Sequence, residues 1–200
     1  MELRLPLENR SVLQTLRVGD IVYLSGVVAT MRDLGHRRAL STGSTPVDLR
    51  NWGIMHAGPV VRREGDSWRI VSIGPTTSRR MDAYVYELVK RFGVAVIVGK
   101  GGMGPNARRA CRELGAVYLE LVGGTASLIT KSIKRVVEVH WLDLGVPEAM
   151  WILEIEKMGP CIVAIDTHGN DIHESVEKGA RERMGTIIDE VLRDLDLVEK

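Results

Sequence analysis

Apolar residues in the first third of the chain fall into short runs separated by polar stretches. Residues 21–29 (IVYLSGVVA) predict a strand entered through the turn Val18-Gly19-Asp20. Residues 30–51, with MRDLGHRR and STGSTP, show no helical period and are expected to form a long polar connection, a length usually kept for function. Short strands are expected at 59–62 and 68–73, around the turn Glu64-Gly65-Asp66. The middle third repeats a unit of strand, glycine loop and helix. Residues 69–73 lead into Gly74-Pro75-Thr76-Thr77-Ser78, and a helix to about Phe92 follows, with Met81, Tyr84, Val85, Leu88, Val89 and Phe92 at helical spacing. Thr77 or Ser78 is suited to cap it and Gly93 to stop it. The apolar run 94–98 (VAVIV) enters Gly99-Lys100-Gly101-Gly102-Met103-Gly104, and Pro105 opens a helix that Gly115 ends. Residues 116–122, Gly123-Gly124 and a helix from about Thr125 make a third unit. Such alternation predicts an α/β fold with parallel strands and right-handed crossovers. Strands are expected near 135–141, 150–155 and 161–165, then a polar turn, Asp166-Thr167-His168-Gly169-Asn170-Asp171. A final helix carries Val176, Ala180, Met184, Ile187, Ile188, Val191 and Leu195 on one face.

Charge narrows the classes. With 27 basic and 26 acidic residues the net charge is +1, without the basic excess of a nucleic-acid binder. No apolar run approaches the roughly 20 residues that span a bilayer, and MELRLPLENR lacks the pattern of a secretory signal, so a cytoplasmic chain is expected. Cys111 and Cys161 stand 50 residues apart without metal-ligand spacing and read as core residues.

Loops that leave parallel strands and enter helices are natural anion sites, because free N–H groups and the positive helix end point at the ligand. Two of them here carry cations, Arg79 with Arg80 and then Lys100. Arg79 reads as a solvated residue at a helix start. Lys100, set among glycines, reads as a ligand contact. Residues 99–104 also match GxGxxG, with Glu120 near the place of a ribose-binding acid, which keeps a nucleotide-dependent oxidoreductase as an alternative. Lys100 and Pro105 are unusual for that fingerprint. A non-catalytic scaffold is a third class. Thr76 and Thr77 are either capping residues or substrate hydroxyls. His36 and His168 lie in polar segments and are candidates, whereas His140 and His173 read as structural or exposed.

Several segments together resemble the β subunit, or equivalently the C-terminal domain, of class I iron–sulfur fumarate hydratases and the related L(+)-tartrate dehydratases. They are Val18-Gly19-Asp20 through Leu24-Ser25-Gly26, Met31-Arg32-Asp33 with His36, His56-Ala57-Gly58-Pro59, and GPTTSRRMD at 74–82. The set continues with GKGGM at 99–103, Gly145-Val146-Pro147-Glu148-Ala149 and the turn at 166–171.

The resemblance implies a swivelling β/β/α domain with a parallel β/α portion, residues 1–200 forming a single β-subunit domain. It implies reversible hydration of fumarate to (S)-malate, or alternatively L(+)-tartrate dehydration, on a small dicarboxylate. It implies a [4Fe-4S] cluster held by three cysteines of an α subunit and not by this chain, which has only two. The expected assembly is (αβ)2, or a β homodimer in isolation, inactive without the α subunit. Carried over by residue, Arg32, Arg80 and Lys100 are substrate-carboxylate contacts, Thr76 is the catalytic hydroxyl and Thr77 an adjacent contact. Arg79 stands where a small residue is expected and is placed toward the partner. The His168 turn matches without an assigned role.

Overall fold

The computed structural model of the chain describes residues 1–198, with side chains as far as Arg193. Its elements run β1 (Glu2–Leu5), β2 (Ile21–Thr30), α1 (Asp33–Thr42), β3 (Gly53–Met55), β4 (Val60–Glu64), β5 (Ser67–Ser72) and α2 (Asp82–Phe92). They continue with β6 (Val96–Gly99), α3 (Pro105–Leu114), β7 (Val117–Glu120), α4 (Ala126–Lys131), β8 (Ile133–His140), β9 (Met150–Ile165) and α5 (Ile172–Val198). Gly93 and Gly115 end α2 and α3 in the left-handed region, as expected.

Strands β2, β3, β6 and β7 lie side by side and parallel. β9 runs antiparallel to β7 and also to β2, so the hydrogen-bonded path returns to its first strand. β1 adds to the edge of β2, and β8 to β9. Side chains alternate along each strand. Val96, Val98, Val117 and Leu119 enter one core with Leu3, Leu13, Ile70 and Trp151. Ile97 and Tyr118 enter a second, under α1, α2 and α3, with Met81, Val85, Leu88 and Ala107. Two apolar faces explain why 94–98 is apolar throughout.

Four expectations are corrected. The segment 30–51 is not one loop: α1 occupies ten residues of it. Its buried face consists of Gly35, His36 and Ala39, which give no apolar period to read. β5 belongs to no parallel unit, because it pairs with β4 in a separate hairpin. The parallel position next to β6 is taken by the three-residue β3, too short to register as a strand. The strands expected at 150–155 and 161–165 are one continuous β9. The apolar face of the last helix is present on α5, but it is exposed rather than packed. The Leu195 side chain, expected on that face, lies outside the described residues. No described helix is long and apolar enough to cross a membrane.

Candidate functional site

Parallel registry aligns the strand ends. Thr30 pairs with Met55, Met55 with Val98 and Gly99 with Glu120, so Arg32, His56, Lys100 and Glu120 come to one edge. Crevices outside the carboxyl ends of parallel strands are where α/β folds bind ligands. The loop returning from the β4–β5 hairpin fits between β3 and β6 at this edge. Ala57 bridges to Pro75 and Thr77 to Lys100. The Thr76 N–H donates to the His56 carbonyl (2.7 Å) and the Ser78 N–H to the Lys100 carbonyl (3.0 Å). Gly99 is needed because a Cβ there would overlap the Ser78 hydroxyl.

Arg32, Thr76, Thr77, Arg80 and Lys100 stand on neighbouring segments of this edge: Arg80 reaches Thr76, the Thr77 backbone lies against Lys100, and Arg32 and Arg80 both act on Asp33. Arg80 Nη2 donates to Thr76 Oγ1 (3.2 Å) and pairs with Asp33 (3.0 Å). Arg32 lies 3.3 Å from the Glu148 carboxylate, and its buried Nε has no aligned hydrogen-bond partner. Gly58 leaves room for that guanidinium against the Pro147 carbonyl. No described carboxylate pairs with Lys100, whose stem runs over Gly123. Partial burial pushes the Asp33 carboxyl up, but the Arg80 hydrogen bond and charge outweigh it and hold it below the ordinary range.

Two helix starts at this edge, α1 and α3, are already filled, and only the second reads as an anion site from the sequence. The Leu34 N–H at the start of α1 donates to Glu148 (2.9 Å). At α3 the N–H groups of Gly104 and Ala107 donate to Asp82 (2.9 and 3.0 Å). Glu120 accepts from the Gly101 N–H (2.8 Å) and binds His173 (2.7 Å). A pyrophosphate would have to displace Asp82 from the start of α3, and a ribose would have to displace His173 and the Gly101 N–H from Glu120, so the nucleotide reading loses both of its supports. Of the three site cations, Arg32 and Arg80 have carboxylate neighbours, and Lys100 has none among the described residues. Arg79 turns back to the Met103 carbonyl (2.7 Å) and ties the two loops together.

His36 is no loop residue. It sits on α1, fully buried, and its Nδ1–H donates to the Arg32 carbonyl (2.8 Å). His168 is held elsewhere, its loop closed by Asp166 and its Nε2 facing the Gln14 carbonyl (3.3 Å). The sequence reading missed His56 and Ser78 as parts of this site. His56 Nδ1 lies 2.9 Å from Ser78 Oγ, which also accepts the Lys100 N–H (3.2 Å). Ser78 therefore joins the hydroxyl loop to the lysine loop and His56 holds its hydroxyl, the motif HAGP around His56 being the available signal.

The His36 and His56 rings meet edge to face at 5.2 Å. Burial drives both toward the neutral form. It takes His36 down to about 4, against the Arg32 carbonyl and the Asp33 charge. For His56, burial acts together with the neighbouring His36 and Arg80. Folded pKa values below the unfolded value of about 6.5 mean that this contribution to stability is complete above that pH. It falls as pH drops toward 4, where His36 titrates in the folded state. Urea denaturation is expected to show a loss of about 2 kcal/mol from His36 between pH 6.5 and 5, with His56 acting in the same direction, and a flat profile would contradict it.

The cysteines are placed in the two cores, Cys161 in the first and Cys111 in the second. Burial pushes the Cys161 thiol up to about 12 and raises Cys111 as well. No three His, Cys, Asp or Glu among the described residues converge as a metal site. The chain's own side chains therefore do not fit an iron–sulfur ligand set.

A family model described as "Fumarase C-terminus" matches residues 1–176. The chain belongs to the fumarase C-terminus family. It is 41% identical over 188 residues to the "L(+)-tartrate dehydratase subunit beta" of Escherichia coli K12, covering 94% of each chain. It is 45% identical over 181 residues to the "Putative L(+)-tartrate dehydratase subunit beta" of Methanocaldococcus jannaschii, covering 88% of this chain and 93% of that one. A "Putative fumarate hydratase class I" of Geobacillus stearothermophilus is 39% identical over 173 residues, 86% of this chain but 33% of the longer relative. These relatives carry hydro-lyase names, two of them as tartrate dehydratase β subunits and one as a class I fumarate hydratase. The relatives matched over most of both chains carry the tartrate name, which reverses the order of substrates expected from the motifs alone.

Proposed function

We propose that the edge formed by Arg32, Thr76, Thr77, Arg80 and Lys100 binds the carboxylates of a four-carbon hydroxy acid, and that the chain acts as the β subunit of a hydro-lyase completed by an α subunit. The observation supporting this is the convergence of separate segments on one edge, with an unpaired ammonium at Lys100 and a hydroxyl held by Arg80 at Thr76. Guanidinium groups grip carboxylates through paired hydrogen bonds, and the ammonium adds a point charge. Arg80 already donates to the Thr76 oxygen, which favours the alkoxide form and suits Thr76 to move the proton on the carbon next to a substrate carboxylate. Thr77 contacts the substrate beside it.

L(+)-tartrate is the first substrate in this reading because of the relatives' names. Dehydration removes that proton and one hydroxyl as water and leaves the enol of oxaloacetate. Fumarate–malate interconversion is the second, favoured by the similar identity to the Geobacillus relative. The substrates differ by one hydroxyl, so a few polar contacts decide between them. In this proposal the [4Fe-4S] cluster belongs to the α subunit, the assembly is (αβ)2 in the cytoplasm, and residues 1–200 act as one swivelling β/β/α domain.

The test is an anaerobic assay of the reconstituted complex on L(+)-tartrate and on (S)-malate. Faster turnover of tartrate supports the first reading, and faster turnover of malate or fumarate replaces it with the second. Full activity of the isolated chain would overturn both.

A further inference from the structure

We propose that the exposed apolar face of α5 is the surface by which this chain holds its α subunit, an inference that rests on the reading above. α5 is rooted at the rim of the site. His173 binds Glu120, which holds the Gly101 N–H next to Lys100, and the same ring packs on Gly102. Glu174 pairs with Arg108. Beyond that first turn the helix leaves the body of the protein, and from Val176 to Arg193 every residue except Gly179 is exposed. At 27 residues it is about 40 Å long.

Val176, Met184, Ile187, Ile188, Val191 and Leu192 are 48–65% exposed. Their spacing puts the last five on one stripe, the pattern of a helix that packs against something. Helices owe most of their stability to such packing, and Gly179 and Gly185 weaken this one by about 1 kcal/mol each relative to alanine. None of the described residues covers the stripe.

Three observations favour the α subunit as occupant. The helix starts at the edge that the proposed reaction requires a second chain to complete. The family match ends at Val176, the first residue of the exposed apolar series, so the five residues of the stripe from Met184 to Leu192 lie outside the matched segment. The Geobacillus relative is about three times longer than the matched segment, and a single long chain needs no separate clamp between its parts. The flanks mix Glu177, Lys178, Arg181, Glu182, Arg183, Asp189, Glu190 and Arg193, a balance suited to a protein surface rather than to a polyanion.

The experiment compares the full chain with Ile187→Asp/Val191→Asp and with the milder Ile188→Gln. Val60→Asp, on the exposed β4 edge, serves as control. Each is mixed with the α subunit of the same organism and followed by sedimentation, with the thermal transition of each chain alone recorded. The double variant is expected to weaken the complex at least about 100-fold, two charges having entered an apolar interface centre. Ile188→Gln is expected to weaken it less, while the control and the thermal transitions stay unchanged. Undiminished binding by the double variant overturns the proposal. So does a self-association of the wild-type chain that the variant abolishes while α binding persists, because the occupant is then a second copy. A wild-type chain that binds no α subunit overturns this inference and the functional reading together. A complex that needs the stripe yet turns over neither diacid overturns the functional reading alone.

Discussion

Lys100→Met is expected to lower kcat/KM of the assembled enzyme at least about 100-fold, a loss of about 2.7 kcal/mol of transition-state stabilisation. Methionine keeps a stem of similar shape over Gly123 and removes only the charge. The Lys100 ammonium has no carboxylate partner among the described residues, so the fold loses nothing by its removal and the thermal midpoint should hold. A hydrogen bond to a charged group in a closed site contributes about 1.5–3 kcal/mol, which sets the magnitude. Arg80→Leu should cost at least as much, because it also leaves Asp33 unpaired beside an incoming dianion and strips Thr76 of its donor. The Arg80–Asp33 pair is partly exposed, so its stability cost should be small. Steady-state kinetics with circular dichroism separates these effects, and near-normal turnover in either variant would refute the grip.

Thr76→Val is expected to act on a different parameter. Valine matches the shape of threonine and leaves the Thr76 backbone N–H on the His56 carbonyl. If the hydroxyl moves a proton, kcat falls by about 10²–10⁴ while KM changes only a few-fold. A rise in KM with unchanged kcat would make Thr76 a binding residue and leave proton transfer to the partner.

Much of this arrangement was legible in the residues. The units around β6 and β7 announced themselves through apolar runs that end in glycines and helix starts. Lys100 and Arg80 stand out as cations in loops that enter helices, while Thr76 and Thr77 remain either caps or substrate hydroxyls until the family resemblance groups them with Arg32. What stayed hidden was mostly pairing at a distance. Glu148 reaches Arg32 and the start of α1 across more than a hundred residues, and Asp82 fills the end of α3, so neither occupied anion site could be read locally. The turn at 64–66 marks the β4–β5 pair, yet β5 alone reads equally well as the first strand of the parallel series, because a strand of alternating exposure looks the same in either place. His56 stands within the HAGP motif, yet its place at the site depends on Ser78, 22 positions away, which is the residue that joins the two loops.

The most direct measurement is a crystal structure of the assembled complex with L(+)-tartrate or (S)-malate bound. The account predicts nitrogen atoms of Arg80 and Lys100 at about 3 Å from substrate carboxylate oxygens, with Arg32 at the same ligand. A diacid held by the α subunit alone, with those three side chains directed to separate faces, would contradict it.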